Sequence, residues 1–317
     1  MTPRKILVIH NPRAGAVRVG LESYLKALQA RGAVPIVRTL PESFNFKELL
    51  KDVSDFDRVV VAGGDGTISA AAAMLQKKKV PLVAYPGGTG NLLALNLKMP
   101  AAAEKLAEVT LNGPVRLTDL GRLDYRIYRR RDYLRARLGL KFSHDLSTIY
   151  FTLMASSGVV AHMMKGAEPL KRHFGKAAYW LSAFLNLYPR VAKFRLKIDG
   201  RPVRARGIGV IIINFEKIQF DLKVAPGCDA RDGEFEVVFL KGRNLFMLLP
   251  AVWSAVVERL GFKRPEPSKE MELYHGSEIE VSSWPPLKLQ FDGETREKTA
   301  FFKAKVLPCA VRFVYGE

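Results

Sequence analysis

Two glycine-rich turns constrain this chain more than any other feature. Gly63-Gly64-Asp65-Gly66-Thr67 follows the apolar run at Arg58–Ala62, and Pro86-Gly87-Gly88-Thr89-Gly90-Asn91 follows Pro81–Tyr85. Each leads into a helix-compatible stretch, Ile68–Leu75 and Leu92–Leu97. Strand, glycine turn and helix in succession is how an open parallel sheet presents backbone N–H groups to a phosphate. Glycine lets the main chain approach an anion closely and adopt positive φ. Clustered N–H groups at the positive end of a helix then attract negative charge. Asp65 is the odd residue in such a cradle. A carboxylate there repels phosphate unless it holds a metal, accepts a proton or binds a sugar hydroxyl.

A third turn of the same kind comes earlier. Lys5–His10 reads as a buried strand and runs into Asn11-Pro12-Arg13-Ala14-Gly15. Val19, Leu21, Tyr24, Leu25 and Leu28 then fall near helical spacing. The chain contains no G-x-x-x-x-G-K-[ST] and no G-x-G-x-x-G opening a helix, which argues against a P-loop and against a Rossmann dinucleotide site.

Past residue 115 the pattern changes. Phe194, Leu196 and Ile198 alternate with polar residues up to Asp199-Gly200, a hairpin signal, and Arg201–Arg206 leads into Gly207–Ile213. Further strand candidates are Thr148–Met154, Glu234–Leu240, Glu278–Ser282, Leu287–Phe291, Phe301–Leu307 and Val311–Tyr315, with helices near Lys176–Leu187 and Leu245–Leu260. The expected fold is an α/β domain with a parallel sheet over residues 1–118, followed by a β-rich antiparallel domain over 119–317.

The 317 residues carry a formal charge of +19, and the pI is near 9.9. That excess implies an anionic partner: a membrane surface, a nucleic acid or a polyphosphate. Cys228 and Cys309 make neither a disulfide framework nor a zinc pattern and fit a reducing compartment. The N-terminus is expected to carry no signal peptide. No apolar run reaches the ~20 residues needed to span a bilayer, since Pro250 and Glu258 interrupt Leu245–Leu260. The expectation is a cytoplasmic protein, peripheral at the inner face of the membrane. Within Tyr125–Lys141, Arg126, Arg129, Arg130, Arg131, Arg135, Arg137 and Lys141 interleave with tyrosines and leucines. We expect the Arg126–Lys141 segment to dock on anionic lipid. Nucleic acid is the weaker partner, because no nucleic-acid module is recognisable. The oligomeric state is left open, with a homodimer as one candidate.

The ordered set of turns resembles the catalytic domain of the diacylglycerol kinase family, in the form of the soluble bacterial lipid kinases related to sphingosine and ceramide kinases. The family pattern N-P-x-[AS]-G, G-G-D-G-T and P-x-G-T-x-N is matched at Asn11–Gly15, Gly63–Thr67 and Pro86–Asn91. It continues at Asp119-Leu120-Gly121, Ala225-Pro226, Asp232-Gly233 and Asp292-Gly293-Glu294. The resemblance implies an NAD kinase/diacylglycerol kinase-like nucleotide-binding domain, then a β-sandwich that holds lipid, with a cleft between them. It also implies that a C-terminal segment, about 300–317, packs back on the first domain.

What the resemblance implies for the site is specific. ATP is lined by Asn11, Thr39, Gly63, Gly64, Asp65, Gly66, Thr67, Thr89, Gly90 and Asn91. Phosphoryl transfer to an alcohol needs a carboxylate to take the proton and Mg²⁺ to spread charge. Three acids are candidates: Glu294 first, then Asp292, with Asp65 supporting the nucleotide and its metal or acting as the base. A second, structural Mg²⁺ is implied at Asp229–Glu234, with Asp232 as side-chain ligand and Asp229 and Glu234 contributing main chain or water contacts. The expected activity is transfer of the ATP γ-phosphoryl group to a hydroxyl of a diacylglycerol-like or sphingoid-like lipid. The alternatives are an NAD kinase-like phosphotransferase and a catalytically silent lipid- or nucleotide-binding regulator. Two departures bear on the acceptor. Asn91-Leu92-Leu93-Ala94 replaces the family's Asn-Asp-Phe-Ala, and the bulky stretch Asn214–Val224 stands where a glycine-rich one is usual.

Overall fold

In the computed structural model the first apolar runs are parallel neighbours. β1 (Lys5–His10) lies between β2 (Val34–Thr39) and β3 (Arg58–Gly63), and β4 (Leu82–Pro86) pairs with β3. The structure describes residues 3–14, 20–42, 46–88, 90–127, 146–161, 189–219, 222–223, 227–242 and 271–316. Ile6, Leu7, Val8 and Ile9 of β1 and Val59–Ala62 of β3 are fully buried. Such strands need cover on both faces, which helices supply in a parallel sheet. Among those helices are α1 (Leu21–Ala30), α2 (Phe46–Leu49), α3 (Asp65–Met74), α4 (Leu92–Asn96) and α5 (Ala103–Asn112). The strand order β2-β1-β3-β4 reverses direction between β1 and β3. A crevice opens at the carboxyl ends of strands at such a switch point, and there an α/β sheet binds its ligand. Asn11 ends one wall of that crevice and Gly63-Gly64 the other.

The sheet does not stop at β4. β16 (Glu294–Val314) pairs with β4 in parallel through Phe313 and Leu82, and it runs antiparallel to β5 (Val115–Ile127) and β15 (Glu278–Phe291). Val311, Phe313, Val314 and Tyr315 accordingly pack in the core of the parallel domain. From β15 the antiparallel sheet continues through β7 (Met154–Gly158), β10 (Gly209–Ile213) and β13 (Phe235–Leu240) to β14 (Met271–Gly276). β6 (Ser147–Phe151) pairs with β5, and the hairpin β8 (Ala192–Ile198) and β9 (Arg201–Gly207) pairs with β15 through β8. A second core forms there around Phe151, Phe194, Phe235, Phe239 and Phe302. The architecture is a parallel α/β domain followed by an antiparallel β domain. The expected division at residue 118 falls within β5.

Four elements differ from the sequence reading. α3 begins at Asp65 inside the glycine turn, not at Ile68, with extended Gly64 as its N-cap. Thr148–Met154 is not one strand. It breaks between Phe151 and Met154, where the N–H groups of Thr152 and Leu153 turn to the Asp292 carboxylate. Glu278–Ser282 and Leu287–Phe291 are one strand with a register shift between Ser282 and Leu287. Phe301–Leu307 and Val311–Val314 likewise belong to β16, with Tyr315 just past its end; its ladder with β5 shifts between Leu307 and Val311, beside the positive φ of Cys309. Register shifts carry both strands past their prolines. The helices expected near Lys176–Leu187 and Leu245–Leu260 lie outside the described residues, as does 128–145, which holds all of the basic segment except Arg126 and Ile127.

Candidate active site

The three turns are fastened to each other by main chain and short polar side chains. Asn11 is buried; its backbone N–H donates to the Ala62 carbonyl at 2.9 Å and its side-chain amide donates to Thr67 Oγ1 at 2.9 Å. This links the end of β1 to the first turn of α3. The two glycine turns touch backbone to backbone: a Cβ on Gly88 would stand 2.7 Å from the Gly64 Cα. No residue larger than glycine fits at position 88 without moving main chain. Asn91, with φ of +52°, turns its side-chain oxygen back to accept the Gly88 N–H at 2.6 Å. Asp65, in the first turn of α3, accepts the Leu93 N–H at 2.9 Å and so ties α3 to the start of α4. The Leu92-Leu93 departure thus meets Asp65 through backbone donors. Thr39 is exposed at the end of β2, in register with His10 one strand beyond Asn11. Thr89 lies outside the described residues.

The Asp292-Gly293-Glu294 segment comes from the other domain. Asp292 and Gly293, at φ of +43° and +91°, form the two-residue connection between β15 and β16, with Phe291 opposite Glu294. Both positive φ values suit the hairpin turn that Asp-Gly favours. The two acids then go opposite ways. Asp292 is buried, and five donors surround its carboxylate. Oδ2 accepts from Ser69 Oγ at 2.6 Å and from Thr152 N and Oγ1 at 2.6 and 3.0 Å, while Oδ1 accepts from Leu153 N at 2.8 Å and Met154 N at 3.0 Å. Glu294 faces the crevice. Its Oε1 lies 3.1 Å from the place a Cβ on Gly66 would take, over the first turn of α3, and its Oε2 meets Arg296 at 2.9 Å. Asp65, Gly66 and Glu294 therefore converge at one helix N-terminus, and Asp292 sits behind them as the joint between the domains.

Burial pushes the Asp292 carboxyl above the ordinary carboxylate range, and the Ser69 hydroxyl and the Thr152, Met154 and Leu153 amides pull the other way. Burial also raises Asp65, opposed by the Leu93 and Leu92 amides and assisted by the charge of Asp292. Asp292 is nonetheless closed to a substrate: it is buried and fixed donors occupy both of its oxygens. Of the three candidate acids, Asp292 is the one the geometry keeps from an incoming hydroxyl.

The Asp229–Glu234 loop is held by Asp119, a fully buried residue on β5. Asp119 accepts N–H bonds from Gly233 and Cys309, each at 2.7 Å, and its own N–H donates to Ala230 at 2.7 Å. The Asp229 carboxylate is engaged by the Arg231 guanidinium at 2.6 and 2.7 Å, and Asp232 Oδ1 accepts the Glu234 N–H at 2.9 Å. Among the described residues no group of three or more His, Cys, Asp or Glu is placed to hold a metal ion. Asp229, Asp232 and Glu234 thus do not form a convergent carboxylate set.

Ser69, Thr152 and Asn96 of the junction carry no signal in the sequence, and Asn214 and Lys217 stand out there only as part of a bulky stretch. Ser69 and Thr152 meet Asp292 across gaps of 223 and 140 residues. Asn214, fully buried, donates to the Asp119 carbonyl at 3.1 Å and the Thr152 carbonyl at 2.8 Å. Lys217 exchanges two hydrogen bonds with the Asn96 side chain, at 2.7 and 3.0 Å, and so lays β11 (Lys217–Gln219) on α4. The stretch from Asn214 is thereby pinned beside the second glycine turn.

Comparison with known proteins agrees with this arrangement. Residues 5–123 match the model of the diacylglycerol kinase catalytic domain, and residues 154–315 match that of the YegS C-terminal NAD kinase beta sandwich-like domain. An uncharacterised protein of Synechocystis sp. is 22% identical over 304 residues, 90% of this chain and 65% of that protein, so the chain spans just under two thirds of this relative. Proteins named diacylglycerol kinase from Mycobacterium tuberculosis and Bacillus subtilis are each 23% identical; the matches cover 78% and 76% of this chain and 78% and 72% of theirs. The crystal structure of a diacylglycerol kinase from Bacillus anthracis superposes with a TM-score of 0.67 at 16% identity, over 100% of this chain and 98% of that one. A second structure from the same organism gives 0.72 at 18% identity. At these identities the structural likeness is one of fold.

Proposed function

Because this chain belongs to the diacylglycerol kinase catalytic-domain family, we propose that it is an ATP-dependent lipid kinase. It transfers the γ-phosphoryl group to a hydroxyl of a diacylglycerol-like or sphingoid-like lipid at a membrane surface. The observation that carries this reading is the position of Glu294. A carboxylate from the β domain stands over Gly66, at the N-terminus of the helix whose turn forms the phosphate cradle.

In this reading the backbone of Gly63–Thr67 and Gly87–Asn91 receives the polyphosphate, and the close Gly64–Gly88 approach sets the two turns side by side. Bound Mg-ATP supplies the phosphoryl group and the charge that disperses its negative oxygens. Asp65 lies beside that position, held by the Leu93 N–H, and orients the metal-bearing nucleotide. Glu294 takes the proton of the attacking hydroxyl, because it alone of the three acids is both near the cradle and open to the crevice. Asp292 positions it. Its five hydrogen bonds fix the turn that carries Glu294 to α3 and to the strand break at Thr152. No helix among the described residues is long and apolar enough to cross a membrane, so the acceptor would be reached from the bilayer surface.

The test is transfer of labelled γ-phosphate from ATP with Mg²⁺ to a panel of lipids in mixed micelles, with NAD as a soluble acceptor. Labelled lipid that disappears in a folded Asp65→Ala variant supports the proposal, and the panel member separates glycerol from sphingoid acceptors. Label on NAD alone would move the chain to an NAD kinase-like activity. ATP binding with no label anywhere would leave a silent regulator.

A further inference from the structure

The hairpin β8–β9 lies at an edge of the sheet, where β9 pairs only with β8 among the described residues. Along β8, Phe194, Leu196 and Ile198 point into the core, and Lys193, Arg195 and Lys197 are exposed on the opposite face. The register places Lys193 opposite Arg206 and Arg195 opposite Arg204, both arginines exposed. On the other side of β8, Lys193 stands opposite Trp284, an indole left 53% exposed. Two rows on, the same face alternates in sign: Lys197 opposite Glu280, Glu280 opposite Lys303, Lys303 opposite Asp124. The rows Arg204–Arg195 and Arg206–Lys193 have no such compensation, and among the described residues none of these four cations has a carboxylate partner.

Like charges directly opposite on neighbouring strands destabilise a sheet. Protection of an edge strand explains Arg204 and Arg206 on β9. It does not explain Lys193 and Arg195 on β8, which is paired on both sides. Their backbone positions fall within ~7 Å along the strand and ~5 Å across it, inside one Debye length of ~8 Å at physiological salt. They act as a single patch of positive charge with an exposed indole at its border. Indoles sit at the headgroup level of bilayers.

We propose that this outer face, Lys193, Arg195, Arg204 and Arg206 with Trp284, docks the enzyme on an anionic phospholipid surface. The choice of a bilayer as occupant rests on the lipid kinase reading and on charge complementarity. The patch lies on an open sheet face, where among the described residues Trp284 borders it and Phe301 stands one strand further along the Arg195 row, whereas single-stranded nucleic acid is held by successive stacking rings along a groove.

The test is co-sedimentation of the full chain with phosphatidylcholine vesicles, with and without phosphatidylglycerol, across a salt series. Wild-type protein is expected to bind only the anionic vesicles, less well as salt rises. Arg195→Gln/Arg204→Gln should weaken this by roughly fivefold per cation removed at low salt and flatten the salt slope. Trp284→Ala should remove the binding that survives at high salt. The double variant should melt no lower than wild type, since it relieves a repulsion, and should keep its phosphoryl transfer in neutral detergent micelles. Undiminished vesicle binding by a folded Arg195→Gln/Arg204→Gln protein would overturn the proposal. So would loss of RNA binding, but not vesicle binding, in that variant. A chain that transfers no phosphate yet loses vesicle binding in the double variant would leave this surface standing while the kinase reading falls.

Discussion

The Ser69 hydroxyl donates to the Asp292 carboxylate at 2.6 Å, joining α3 of the nucleotide cradle to the turn that carries Glu294. The two domains meet here through a polar contact and not only through the shared sheet. A carboxylate is suited to this place because every neighbouring group is a donor: Ser69, Thr152, Leu153 and Met154. Replacing Asp292 by Asn puts an amide N–H among donors. Loss of a buried acceptor with fixed partners costs about 3 kcal/mol. Asp292→Asn should therefore melt well below wild type, and Ser69→Ala should cost about 1–2 kcal/mol. Both should lower turnover through misplacement of Glu294. Equal melting temperatures for Asp292→Asn and wild type would show that the carboxylate is not the joint described.

Glu294 presents the reverse case. It is half exposed and pairs with Arg296, two residues along the same strand, so Glu294→Gln should change stability by no more than about 0.5 kcal/mol. As the group that takes the hydroxyl proton, it should lower kcat by about 10²–10⁴-fold, with nucleotide affinity little changed. Steady-state kinetics with a fluorescent ATP analogue titration separates the two effects. Full turnover in the Gln variant would return the role of base to Asp65.

The Gly64–Gly88 approach predicts a defect of another kind. A methyl group at position 88 would stand 2.7 Å from the Gly64 Cα and 3.3 Å from Asn91 Oδ1. Main chain must move to admit it, and the N–H groups of both turns are then re-aimed. Gly88→Ala should weaken ATP binding by an order of magnitude or more, measured by calorimetry. Gly32→Ala, on the same domain but with open space around the added carbon and a φ of +76°, should cost stability without weakening ATP binding, and so separates general destabilisation from damage to the cradle.

The parts of this site that were legible in the sequence are those whose chemistry is local. Each glycine turn and each Asp-Gly hairpin carries its backbone requirement in adjacent residues, so strand, turn and helix could be placed before the fold was known. The direction of Asp292 could not. An Asp-Gly turn reads the same whether its carboxylate faces water or, as here, a break in a strand 140 residues earlier. Ser69 and Thr152 are ordinary residues until the fold brings them to that carboxylate. The length of β16 was hidden for a related reason. The sequence pattern ends one strand at Leu307 and begins another at Val311, yet a register shift against β5 carries a single ladder past Pro308 and Cys309. The start of α3 was misread because Gly66 discourages a helix, while in the fold the space beside it belongs to Glu294.

Acid sensitivity should have one source far from these acids. The Arg38 guanidinium holds Asp52 through two parallel bonds of 2.6 Å and lies over the Phe56 ring. This pairing holds the Asp52 carboxyl down at about 2, below its ordinary 3.8. A carboxylate with a depressed folded-state value binds fewer protons in the native than in the unfolded chain, so its contribution is complete above the ordinary value and is lost as pH falls toward the folded one. Between about pH 4 and pH 2 the pair should therefore come apart, releasing β2 from the segment after α2. The buried acids act with the opposite sign: Asp65 and Asp292, raised by burial, favour the folded state at low pH and oppose it as pH rises past the ordinary carboxylate range. Asp52→Asn should flatten the acid limb of a stability-against-pH curve, and nuclear magnetic resonance titration of the Asp52 carboxyl should give a midpoint near 2. An Asp52 that titrates at its ordinary value would show that the Arg38 pair does not form in solution.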